Sequence, residues 1–235
     1  MSFIIFTILL LSAFQQSLSG FGFSLVAMPI LVQLIGIQVA APLVAALALT
    51  LNIINGIRWR EYLDLSEIKR LGLWMLLGVP IGILSVDYLP ENALKMGLGV
   101  LLVAYALFSL LKPEKLPIIS RRWAYPAGFF AGLLGGAYNT SGPPLILYGN
   151  LRNWSHDRFR AVLQTLFGFA AAMVVVGHIL TGHYTANVRH WLWITTLAVL
   201  LGVLIGALFE RYLKPQHLRT WITILTLLLG ISLFF

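Results

Sequence analysis

Apolar positions along this chain gather into long blocks, and the polar and charged positions fall mainly into short gaps between them. A membrane-spanning helix needs about 20 mostly apolar residues. Six blocks approach or reach that length: 38–57, 71–87, 91–111, 158–180, 190–209 and 216–235. Two further stretches, 3–35 and 123–150, are too long for one ordinary span, and each is interrupted. The first breaks at Gly20-Phe21-Gly22, the second across Gly135-Gly136 to Gly142-Pro143-Pro144. Clustered glycine and proline end helices by adding backbone freedom and by removing a donor. Each stretch is therefore predicted as two short helices joined by a non-helical elbow. The pattern gives eight to ten helical segments, ten when each elbow divides its stretch, in an all-α polytopic membrane protein.

Composition agrees with that reading. The chain has 235 residues, 59% hydrophobic and 10% charged, with a mean hydropathy of +0.89. A soluble domain carries about a quarter charged residues, so most of this surface faces something other than water. The net charge of +8 could suggest nucleic acid. That partner is excluded because the cations lie in the gaps between apolar runs, where topology signals sit. No Lys or Arg precedes Phe3, so the N-terminus reads as a first membrane helix rather than a signal peptide, which has a basic flank. The chain has no cysteine, which removes disulfides and thiolate metal sites. No cofactor or metal site is predicted.

The two interrupted stretches match each other. Gly20 to Pro29 maps onto Gly135 to Pro144 at an offset of 115, which also carries Thr50-Leu51 onto Thr165-Leu166. An offset of 124 carries Gly78 and Gly82 onto Gly202 and Gly206, and Tyr88-Leu89 onto Tyr212-Leu213. Matches in this order point to a duplication, with repeats 1–116 and 117–235 in a single membrane domain. The cations orient the halves. Arg58, Arg60, Lys69 and Arg70 form one basic gap, and Lys112, Lys115, Arg121 and Arg122 a second. Arg152, Arg158 and Arg160 form a third, and Arg211, Lys214 and Arg219 the last. By the positive-inside rule all four are cytoplasmic. Loop 87–91 is acidic while its repeat mate 210–219 is basic, so the repeats are inverted, each a broken-helix hairpin plus three transmembrane helices. Such repeats place a transporter's substrate near the bilayer midplane.

The paired glycine-proline elbows and the short basic connector at 112–122 resemble the sulfite exporter TauE/SafE family of permeases. The residues that carry the likeness are Leu18 to Leu31 in the first half, and Gly132-Leu133-Leu134-Gly135-Gly136 with Gly142-Pro143-Pro144-Leu145 in the second. The resemblance implies a multi-pass protein of the bacterial inner membrane that moves small sulfur-containing or organic anions such as sulfite, thiosulfate or sulfonates. Asn139-Thr140-Ser141 replaces part of the family's second glycine run with polar side chains.

No Lys or Arg falls deep in a predicted span, and no buried carboxylate is expected. An anion would then be held by free backbone N–H groups where a broken helix begins, aided by the helix dipole. The expected substrate-binding residues are Gly20, Phe21, Gly22, Phe23, Ser24, Gly135, Gly136, Asn139, Thr140, Ser141 and Gly142, with the repeat mates Thr50 and Thr165. Glycines in membrane helices also serve close helix crossings, and Gln15, Gln16, Asn52, Asn55 and Gln164 could bond between helices or face a cavity. His178, near the end of a span, is the candidate for coupling transport to H+ or Na+. Two rival readings stand beside transport. Ser141 and His178 could form the dyad of an intramembrane hydrolase, or the chain could be a non-transporting scaffold.

Overall fold

A computed structural model describes residues 2–111, 117–209 and 215–235, without the side chains of 215–219. Lys112, Lys115, Arg211, Tyr212, Leu213 and Lys214 lie outside the described residues, as do the 112–116 end of the first repeat and the side chain of Arg219. The described chain forms ten α-helices and two 3-10 turns, with no strand among the described residues. They are α1 (Ser2–Ser19), α2 (Phe23–Ile35), α3 (Ile37–Arg58), α4 (Leu65–Tyr88) and α5 (Glu91–Leu111) in the first half. The second half holds α6 (Ala124–Tyr138), α7 (Gly142–Leu151), α8 (His156–Leu180), α9 (Ala186–Phe209) and α10 (Pro215–Ser232). Among the described residues six are long and apolar enough to cross a membrane: α1, α3, α4, α5, α8 and α9. The predicted span 216–235 coincides with α10, 18 residues long, and α1 is a sixth long apolar helix among the described residues.

Helices extend past the apolar runs where polar residues can cap them. The α4 helix starts six positions before the apolar run at 71, because Asp64 accepts from the Ser66 and Glu67 amides at 3.0 and 3.1 Å. Those bonds satisfy donors that every helix start leaves open.

The first elbow lies where the sequence places it. Gly20 at φ +85° and Gly22 at φ +105° adopt conformations that side chains disfavour. The second differs. Gly135 and Gly136 remain inside α6, and the break is confined to Asn139, Thr140 and Ser141, with Asn139 at φ 54°. Pro143 and Pro144 begin α7 rather than ending a helix, since a first turn has no acceptor waiting for the missing N–H.

The glycines of α6 and α4 instead let the two helices touch along their backbones. A methyl on Gly136 would run into the Val79 carbonyl, and one on Gly132 into that of Met75. The same device recurs at the glycines that match in sequence at an offset of 124. Gly78 and Gly82 of α4 meet the Phe129 and Leu133 carbonyls of α6, while Gly202 and Gly206 of α9 meet those of Leu10 and Phe14 of α1. The crossings α4–α6 and α9–α1 thus share one packing device, and α3 crosses α8. Gly136→Ala is expected to lower stability by about 1–3 kcal/mol through overpacking, leaving anion affinity unchanged. Thermal unfolding and anion titration of the same purified variant check both parts.

Two charged groups are more deeply placed than the sequence suggests. Glu67 is 1% exposed and Arg160 2%. Tyr148 donates to Glu67 at 2.7 Å, and Arg121, Arg152 and Arg158 stand 3.8, 3.9 and 3.8 Å from its other oxygen. Arg158 also pairs with Asp64. This cluster ties the start of α4 to the foot of the α6–α7 hairpin and the start of α8.

Candidate functional site

A ladder of buried amides organises the first elbow. Gln164 of α8 donates through Nε2 to the Gly20 carbonyl at 2.7 Å. Its Oε1 accepts from Gln16 Nε2 of α1 at 3.4 Å, and the same Nε2 donates to Asn52 Oδ1 of α3 at 2.7 Å. Gln16 Oε1 in turn accepts the Phe23 amide at 2.9 Å, capping the start of α2. Each amide has one oxygen and one nitrogen, so the ladder fixes orientation. With Oδ1 occupied, Asn52 presents Nδ2 as a donor. Behind the elbow, Arg160 donates to the Leu18 carbonyl and lies 4.9 Å above the Trp59 ring. Its charge sits at the C-terminal end of α1, the negative end of that helix dipole.

The second elbow is held from the other side. Asn139 donates to the Ala41 carbonyl of α3 at 2.8 Å, and the Thr140 hydroxyl to the Tyr138 carbonyl at 2.9 Å. Ser141 folds over Gly135, where a methyl would collide with its Oγ.

The two elbows meet around one cavity of about 40 Å³. Gln16, Gly22, Ser24, Leu25, Ala48 and Asn52 line it from the first half. Gly135, Asn139, Thr140, Ser141 and Gly142 line it from the second, with an apolar wall of Phe167, Ala170, Ala171 and Val174 on α8. A space of that size holds a few waters or a small polar group. Seven of the expected residues therefore come together there: Gly22, Ser24, Gly135, Asn139, Thr140, Ser141 and Gly142.

The others stand elsewhere. Gly20, Phe21 and Phe23 shape the first elbow without lining the cavity, and the Phe23 N–H is already taken by Gln16. Gly136 faces α4. Thr50 and Thr165 each bond back to their own helix, to Ala46 and Ala161 at 3.1 and 2.9 Å. At the second elbow, Pro143 and Pro144 remove two of the first three α7 donors, so this end offers the Gly142 N–H and side-chain hydroxyls more than a row of amides. Gln16 and Asn52 join the site beyond the expected residues. Their polarity inside apolar helices was the available signal. His178 is bonded to His183 at 2.8 Å, and no hydrogen bond joins it to Ser141 among the described residues.

The sequence matches the model of the sulfite exporter TauE/SafE family over residues 4–233. It is similar to the "Probable sulfite/organosulfonate exporter TauE" of Cupriavidus necator, 25% identical over 211 residues, which cover 87% of this chain and 82% of that protein. No solved structure matches.

Proposed function

The chain belongs to the sulfite exporter TauE/SafE family of multi-pass membrane proteins, and we propose that it is a secondary transporter of small sulfur-containing or organic anions whose substrate sits between the two elbows. One observation carries the reading. Two helix breaks about 120 residues apart in sequence converge on one cavity, which Asn52, Ser24 and Ser141 line with groups able to donate. The Ser24 and Leu25 amides open α2, and helix starts favour negative charge. A sulfite or sulfonate oxygen cluster would accept from these groups, and a short organic tail would lie on Phe167, Ala171 and Val174. Irregular backbone at membrane depth occurs beside protein or a water-filled cavity, which favours transport over a scaffold role. The likeness to the C. necator sulfite/organosulfonate exporter supports the sulfonate and sulfite classes.

Purified protein in vesicles loaded with unlabelled anion tests the proposal. Labelled sulfite, thiosulfate and methanesulfonate are offered outside, and counterflow of at least one is expected. No counterflow with any of the three would overturn the reading.

The repeats are proposed to be inverted, on the opposite charge of loops 87–91 and 210–219. A thiol introduced as Ser120→Cys is then expected to resist an impermeant reagent in intact cells, while Thr185→Cys reacts. The reverse pattern would contradict the inversion.

A further inference from the structure

A second cavity, of about 550 Å³, lies between α5 and the α6–α7 hairpin. Leu101 and Phe108 of α5 line one side, Phe130 and Leu134 of α6 another, and Leu147 and Leu151 of α7 the third. The space exists because α5 packs chiefly on α10 rather than on α6 or α7. Phe130 and Phe108, 52% and 38% exposed, stand at its open side. The Tyr148 ring also lines it, with its hydroxyl committed to Glu67. No lining residue is shared with the cavity between the elbows, although Leu134 and Pro143 here are chain neighbours of Gly135 and Gly142 there.

The length of this cavity matches one leaflet of a bilayer. Trp123 and Leu134 mark its two ends along α6, about 16 Å of helix apart, and half of a hydrocarbon core is about 15 Å. The end at Trp123 is basic, because Arg121 and Arg122 precede that residue in the 3-10 turn Arg121–Trp123. Ile119 fixes this end. Its N–H donates to the Leu151 carbonyl at 3.1 Å, and its carbonyl accepts from Arg152 at 2.8 Å. Arg152 is thereby committed to the wall. The Arg121 side chain is 58% exposed and stands 3.8 Å from Glu67, outside hydrogen-bond range. Arg122 is exposed, and so is Trp123 at 58%, as aromatic residues at headgroup level are.

We propose that this cavity binds one anionic phospholipid, with an acyl chain between α5 and the hairpin and the headgroup phosphate on Arg121 and Arg122. Apolar cavities stay dry and take up hydrocarbon, and a multi-pass membrane protein has hydrocarbon at the open side. A chain of one leaflet's length fills the space from Trp123 to the level of Leu134 and Pro143. The arginine fork binds phosphate oxygens through paired N–H groups, and basic pockets between membrane helices hold anionic headgroups. A soluble anion would use the arginines and leave the apolar length empty. A choline lipid would fill the length but bring its own cation to the arginines. The anionic lipid alone satisfies both ends.

Native mass spectrometry of the detergent-purified protein tests the site. The protein is equilibrated with equal amounts of phosphatidylglycerol and phosphatidylcholine of identical chains, which differ in mass. Wild type is expected to retain one phosphatidylglycerol, roughly tenfold in preference to phosphatidylcholine. Arg121→Gln combined with Arg122→Gln should lose the preference and still hold a lipid. Ala104→Trp, at an exposed position in the α5 wall, should fill the space and release both lipids. The arginine variant, altered only at exposed positions, keeps the test decisive if Ala104→Trp fails to fold. Equal retention of the two lipids by wild type, an unchanged preference in the arginine variant, or wild-type lipid retention by folded Ala104→Trp would overturn the proposal. So would a lipid-free dimer, which would put a second copy of the chain against α5 and the hairpin.

Discussion

Asn52→Asp is expected to abolish anion binding while leaving the fold intact. One carboxylate oxygen can accept from Gln16 as Oδ1 does now, at 2.7 Å, so the amide ladder survives. The other oxygen replaces Nδ2 and brings negative charge and an acceptor to the place where the anion needs a donor. The milder Asn52→Ala removes one charge-assisted hydrogen bond, worth about 1.5–3 kcal/mol, or roughly tenfold to over a hundredfold in affinity. Affinity for sulfite and methanesulfonate, measured with thermal unfolding of the same samples, separates lost binding from lost structure. Wild-type affinity in Asn52→Asp would remove Asn52 from the site.

Glu67→Ala is expected to have the largest effect on stability. The residue is 1% exposed and holds Tyr148 and three arginines around one carboxylate. Removing the acid leaves the buried Tyr148 hydroxyl without its acceptor, at a cost of about 1–3 kcal/mol, and adds the loss of packing and of ion pairs that solvent partly screens. Arg121 on the exposed rim contributes far less, because solvent screens it. Arg121→Ala should therefore melt near wild type, and thermal unfolding in detergent compares the two.

The helices were legible because hydropathy in so apolar a chain is close to a direct readout of burial in lipid. The first elbow was legible because Gly20 and Gly22 are needed there for their backbone angles. The second was displaced because glycine has two uses that look identical in sequence. Gly135 and Gly136 belong to a helix that must approach another, and the break depends on Asn139 adopting a left-handed conformation. Proline posed the same ambiguity, since Pro143-Pro144 marks a helix start as readily as an end.

Partners across the chain were out of reach. Gln16, Asn52 and Gln164 stood out as polar residues in apolar runs, yet their mutual bonds join positions 36 and 148 residues apart. The burial of Glu67 and Arg160 was hidden for a related reason. Both sit near the starts of their helices, where sequence shows charges in a gap, while the structure folds the α6–α7 hairpin over Glu67 and the first elbow over Arg160. His178 was recognisable as an ionisable group in a span, whereas its contact with His183, which in turn lies 3.0 Å from the Asp87 carboxylate, appears only in the fold.

The central claim, that a small anion occupies the cavity between the two elbows, is tested most directly by substrate protection. The chain contains no cysteine, so Ser24→Cys and Ser141→Cys each provide one thiol in the cavity, and Ser120→Cys provides one outside it. Labelling by a small thiol reagent is timed with and without saturating methanesulfonate, which is inert to the reagent. Slower labelling of both cavity thiols, with Ser120→Cys unaffected, is the predicted result. Equal rates at Ser24→Cys and Ser141→Cys, in variants that still show methanesulfonate counterflow, would place the anion elsewhere.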